Sequence, residues 1–174
     1  MKRKSFEIAL SGVATAIASL FLCLGVLSPY LLMTGYLLGS FAMMLPLSKR
    51  FVQGSVLAYL ASSLLAFLLG GVAYFWRLLP FIAFFGLHPL ANHLQLKFKI
   101  NRWLAYLIKA LWFDGTLVLI WFFVCGGTSP VELISRAIGW IIAIGGTLFF
   151  YAYDYLIFSC QISVNRIVEK IKHN

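Results

Sequence analysis

Charge is scarce in this sequence, and acid is scarcest. Of 174 residues only 11% are charged, and five of those are Asp or Glu. A soluble domain is roughly a quarter charged and about half apolar. Here 62% of residues are hydrophobic and the mean hydropathy is +0.94, so too little polar surface is available to cover a soluble core. The shortage of carboxylates also limits the chemistry. Glu7 and Glu169 fall at basic ends and Glu132 in a link. Asp114 and Asp154 are expected on different helices and at different depths, and are not read as an acid–base pair across one bond. The sequence has no paired-His metal motif, no Gly-flanked nucleophilic Ser and no phosphate loop. No enzymatic activity, cofactor or metal is expected. Cysteine is equally sparse: Cys23, Cys125 and Cys160 lie in or beside apolar runs without CxxC spacing, and read as small apolar residues.

What the sequence does contain is long apolar runs. A spanning helix takes about 20 mostly apolar residues, with a range of roughly 17–25. Six such runs occur, over 6–27, 31–47, 52–73, 76–97, 103–125 and 137–160. The fourth is interrupted by Arg77, Pro80, His88, Pro89, Asn92 and His93. The expected fold class is therefore an all-α, polytopic six-helix membrane bundle, one domain over 1–174. The first run is read as an uncleaved span, because it passes Leu27 without a cleavage site.

The net charge is +9, and its distribution speaks for lipid rather than nucleic acid. Of the 14 Lys and Arg, eleven fall on alternate links: Lys2, Arg3 and Lys4; Lys49 and Arg50; Lys97, Lys99 and Arg102; Arg166, Lys170 and Lys172. The other links carry only Arg77 and Arg136. The positive side is the cytoplasmic one, which places both termini in the cytoplasm of a plasma-membrane protein. The tail 161–174 reads as an amphipathic cytoplasmic helix, with Val164, Ile167, Val168 and Ile171 on one face. No inverted repeat is visible.

Three ionisable residues fall inside the runs. Asp114 lies at the centre of the fifth, where a carboxylate costs about 2.5–3.5 kcal/mol to insert. Lys109 lies about 9 Å inside the cytoplasmic edge of the same run. Five positions turn a helix by about 140°, so the two do not face each other. Lys109 is expected either to snorkel or to form a structural pair with Asp154, at matching depth in the sixth run. Asp114 is too short to snorkel. Pro89 is expected to bend the fourth span near Gly86 and free backbone carbonyls. His88, Asn92 and Asp114 then line one polar pocket, either a ligand or ion site or a hydrogen-bonded core.

Small residues mark close helix packing. Gly139, Ala143 and Gly146 form a stripe on the sixth run. On the first, Gly12 with Ala16 and Ala14 with Ala18 form two interleaved ladders, open to the bundle or to a separate subunit.

Six spans, a basic N-terminus and the Ala14-x-x-x-Ala18 pair resemble the substrate-binding S components of energy-coupling factor (ECF) transporters, or a related small six-span bacterial membrane protein. The resemblance implies a subunit that binds a vitamin-like small molecule. It works with a separate transmembrane coupling subunit and ATPase subunits, and docks through Ala14 and Ala18, or Gly12 and Ala16. It also implies a ligand site near the outer side, for which Tyr30, Trp76, Arg77, Trp121, Arg136 and Trp140 are the candidates. Aromatic and guanidinium groups together suit a small anionic or ring-shaped ligand. Two other readings stand beside it: a non-enzymatic scaffold of cell-envelope morphogenesis, and a self-contained ion-coupled carrier using Asp114.

Overall fold

The computed structural model describes residues 3–70, 72–126 and 137–173. Among the described residues the chain is all-helical. Helix α1 runs Arg3–Leu27. Its hydroxyls are satisfied within the helix: Ser11, Thr15 and Ser19 donate to the carbonyls four residues back, at 3.1, 2.9 and 2.7 Å. The helix stops where Ser28 precedes Pro29, because a residue before proline is pushed out of the helical region, and Ser28 is extended.

A short turn, Pro29–Leu31, leads into α2, Leu32–Leu47. So short a link makes α1 and α2 antiparallel neighbours. Their backbones approach closely at Gly35, where a Cβ would lie 2.7 Å from the Phe21 carbonyl oxygen. Helix α3, Val52–Gly70, follows a tight turn in which Arg50 takes a left-handed conformation (φ 58). Helix α1 packs chiefly against α2 and α3.

The run expected to form a fourth span is not one continuous helix. It consists of a 3₁₀ turn Val72–Leu78, a π turn Phe81–Phe85 and a short helix α4, His88–Lys97. The cause is local. Pro80 precedes the π turn, and Pro89 sits in the first turn of α4, where a missing N–H is tolerated. Helix α5, Arg102–Cys125, begins with Asn101 accepting from the Trp103 amide at 2.9 Å and ends on a left-handed Gly126 (φ 61). The last helical stretch starts at 137, passes through a π turn at Ile141–Gly146 and continues as α6, Thr147–His173. The expected cytoplasmic tail continues α6 without a break. Val168 is buried, Val164 is half-buried, and Ile167 and Ile171 are exposed.

Among the described residues, five helical segments are long and apolar enough to cross a membrane: Lys4–Leu27, Pro29–Leu47, Val52–Gly70, Arg102–Val124 and Ala137–Ile171. Their outward faces are apolar too. Ile8, Leu57, Leu64, Leu111, Phe123 and Leu148 are all exposed. A surface of this kind is compatible with a multi-pass membrane protein. The broken fourth segment is the exception, because Leu78, Phe81, Phe84, Phe85, His88 and Asn92 are buried within the bundle. Irregular backbone is tolerated in apolar surroundings only where protein covers it.

Candidate functional site

The broken segment leaves backbone carbonyls without helical partners, and side chains from other helices take them up. Pro89 has no N–H to offer the Phe85 carbonyl. The Ser40 hydroxyl, from α2, stands 2.6 Å from that oxygen and accepts in turn from the Tyr153 hydroxyl of α6 at 3.2 Å. The π turn directs the Gly86 amide to the Phe81 carbonyl at 2.8 Å and bypasses Ile82, whose oxygen accepts from the Tyr59 hydroxyl of α3 at 2.8 Å. Further along, the Tyr36 hydroxyl donates to the Arg77 carbonyl. The Arg77 guanidinium donates to the Val26 carbonyl at 2.6 Å, capping the negative end of α1. Sequence reasoning missed Tyr36, Ser40, Tyr59 and Tyr153. The available signal was Pro89 itself, which requires a donor from elsewhere for residue 85.

Below Ser40 lies a buried polar cluster. His88 is wholly buried, its ring packed on Phe84, Phe150 and Tyr153 with centroids 5.0, 5.8 and 4.9 Å away. Its Nε2 stands 3.1 Å from Asp154 Oδ1, close enough for an ion pair but out of line for a hydrogen bond. Lys109 reaches the same oxygen with Nζ at 2.7 Å and also donates to Asn92 Oδ1 at 2.7 Å. Lys109 therefore turns inward rather than snorkelling. One cation meets one carboxylate, and His88 and Asn92 complete the shell. His88 Nδ1 and Asn92 Nδ2 have no hydrogen-bond partner among the described residues.

Asp114 does not join this cluster. No hydrogen bond links it to His88 or Asn92 among the described residues, contrary to the single pocket expected. Its Oδ2 accepts from the Thr147 hydroxyl of α6 at 3.1 Å, while Oδ1 is buried without a hydrogen-bond partner among the described residues. The carboxylate packs against Gly146, where a Cβ would come within 2.6 Å of Oδ1. The reason lies in α5, where Asp114 is turned by about 140° from Lys109, so that Lys109 faces the cluster and Asp114 faces Gly146 and Thr147. Of the small-residue stripe, Gly139 and Ala143 are exposed and only Gly146 is buried.

The outer candidates are not gathered into one pocket. Tyr30 is 95% exposed and Trp140 73% exposed, and Trp121 is half-buried. Only Arg77 and Trp76 meet, the guanidinium 5.1 Å from the indole and 4.6 Å from the Tyr74 ring. Arg136 lies outside the described residues. The two small-residue ladders of α1 separate cleanly. Ala14 and Ala18 are wholly buried in the chain's own core, whereas Gly12 and Ala16 are exposed. The alanine pair is thus covered, and the Gly12–Ala16 face is the open one.

A cavity of about 630 Å³ lies at the opposite end of the bundle from Arg77 and Val26. It is bounded by the α2–α3 turn, α4 and α6, and Asn92 and His93 both line it. Asn92 is therefore shared between the cavity and the Lys109–Asp154 pair. Among the described residues, no group of three or more His, Cys, Asp or Glu is placed to hold a metal ion. Compared with models of known families, with curated proteins and with solved structures, the chain matches none.

Proposed function

We propose that this chain crosses the plasma membrane six times, with both termini in the cytoplasm, and acts without catalysis as the small-molecule-binding subunit of a transporter. Energy then comes from a separate coupling subunit and ATPase subunits, as in the ECF transporters whose S components it resembles. The sixth crossing is the broken segment 72–97, sheltered by the other five. Two features support the topology. The exposed helix faces are apolar, and the basic links Lys49–Arg50 and Lys97–Arg102 flank α3 and α4 at the end where the cavity opens.

The observation that carries the binding role is the cavity and what lies behind it. Asn92 joins a space of about 630 Å³ to a buried Lys109–Asp154–His88 cluster. Ligand pockets run from roughly 300 to 1,000 Å³ and are mostly apolar with a few convergent polar groups. Ionisable groups inside a membrane are expensive and commonly serve ligands. The test is affinity purification in mild detergent followed by native mass spectrometry. A coupling subunit and ATPases recovered with the chain support the reading. Recovery with cell-wall synthesis proteins instead favours a scaffold and overturns it.

One observation favours a second reading, an ion-coupled carrier. The Asp114 carboxylate has one oxygen buried and unpartnered beside a π turn, and π turns are frequent at functional sites. A carrier purifies alone and transports when reconstituted by itself.

A further inference from the structure

The cavity at the basic end has a mixed lining. Its apolar residues include Leu47, Leu96, Ile157, Phe158 and Ile162. Three of these residues, Leu96, Phe158 and Ile162, are 58%, 43% and 55% exposed. Its polar residues include two cations, Arg50 and Lys97, and the amides Asn92, Gln161 and Asn165. Arg50, Lys97 and His93 all line this one cavity. No described residue lining the cavity is acidic. The nearby carboxylate on α6, Asp154, is already neutralised by Lys109 at 2.7 Å. Gln161 donates to Asn165 at 2.9 Å, and the buried Asn92 Nδ2 has no hydrogen-bond partner among the described residues.

Two cations with no ion pair among the described residues, a buried donor unpaired among them and adjoining apolar side chains call for an occupant that is anionic at one end and apolar at the other. We infer that the cavity binds a phosphate-bearing anionic lipid of the adjoining leaflet. Its phosphate lies between Arg50 and Lys97, and its first chain carbons lie along Phe158 and Ile162. The volume suits a headgroup with the start of its chains, which then continue into the bilayer. Basic pockets between helices on the cytoplasmic side are suited to such headgroups, and guanidinium matches phosphate geometry. This deepens the reading of the cavity as a ligand site but does not require coupling subunits. Failure of copurification would leave it standing, and failure of lipid binding would leave copurification untouched.

The experiment titrates the purified full chain in neutral detergent with dioleoyl phosphatidylglycerol or dioleoyl phosphatidylcholine and reads bound lipid by native mass spectrometry. The expected result is preferential retention of phosphatidylglycerol by about tenfold. That preference is lost in the double variant Arg50→Gln/Lys97→Gln and in Leu96→Trp, which fills the cavity. It is kept in Lys99→Gln/Arg102→Gln, which removes the same charge outside the lining. Equal retention of the two lipids overturns the inference. So does an equal loss in both double variants, since that is charge attraction without a site. Displacement of the lipid by equimolar glycerol 3-phosphate also overturns it, by assigning the site to a soluble phosphate.

Discussion

At the residue scale, the question is whether an intramembrane charge is structural or functional, and the two inner carboxylates answer differently. Asp154 has a cation at 2.7 Å, and its environment accounts for it. Removing one partner of a buried pair strands the other charge, at a cost of about 3–5 kcal/mol, whereas replacing both with apolar residues of similar size is often neutral. Lys109→Met or Asp154→Leu alone should therefore lower the detergent melting temperature sharply. The double variant should recover most of that loss. A double variant as unstable as either single one would mean that His88 and Asn92 depend on the charges themselves. Asp114 has no cation, only Thr147. Asp114→Asn should fold with little loss of stability, since the amide keeps a contact with the Thr147 hydroxyl. An altered pH dependence of transport in that variant would favour the carrier reading. Gly146→Val should destabilise by about 1–3 kcal/mol, because its side chain would overlap the Asp114 carboxylate. Thermal unfolding compares all of these variants.

At the element scale, the broken segment 72–97 is held by two hydroxyls of α2, Tyr36 and Ser40, and one of α3, Tyr59, each on a backbone carbonyl of the segment. The Ser40–Phe85 contact exists because Pro89 cannot donate. Ser40→Ala should cost about 1–3 kcal/mol by orphaning a buried carbonyl. Pro89→Ala supplies an N–H for that same carbonyl, so the double variant Ser40→Ala/Pro89→Ala should lose less than Ser40→Ala alone. A double-mutant cycle on thermal stability reads the coupling, and strictly additive effects would show that the hydroxyl and the proline do not serve one acceptor. The break itself was legible in Pro80, Gly86 and Pro89. Its repair was not, because Tyr36, Ser40, Tyr59 and Tyr153 lie far from it in the chain and read as ordinary span residues.

At the scale of the whole molecule, the apolar faces outside and the broken helix inside are compatible with a multi-pass membrane protein, and the proposed orientation can be tested directly. Fusion of a fluorescent reporter that matures only in the cytoplasm to the C-terminus, or after Arg50, should give signal, and fusion after Ser28 should not. Signal from the last fusion with silence from the others would reverse the topology.

Composition and the spacing of charge were enough, by themselves, to read an all-helical chain of long apolar segments. Hydropathy and helix length are sums over local residues, and they do not depend on which helix lies beside which. Depth is nearly as local: counting turns put Lys109 and Asp154 level on two antiparallel helices, and the folded chain holds them 2.7 Å apart. Facing is not local. Two π turns, at Phe81–Phe85 and Ile141–Gly146, alter the rotation of everything beyond them. On regular α5 the count of 3.6 residues per turn holds, and Asp114, turned about 140° from Lys109, meets Thr147 and Gly146 rather than His88. Only the packed bundle decided which small-residue ladder of α1 is covered, and that the cavity opens among the basic links rather than beneath the outer aromatics. Those outcomes depend on contacts between segments remote in sequence.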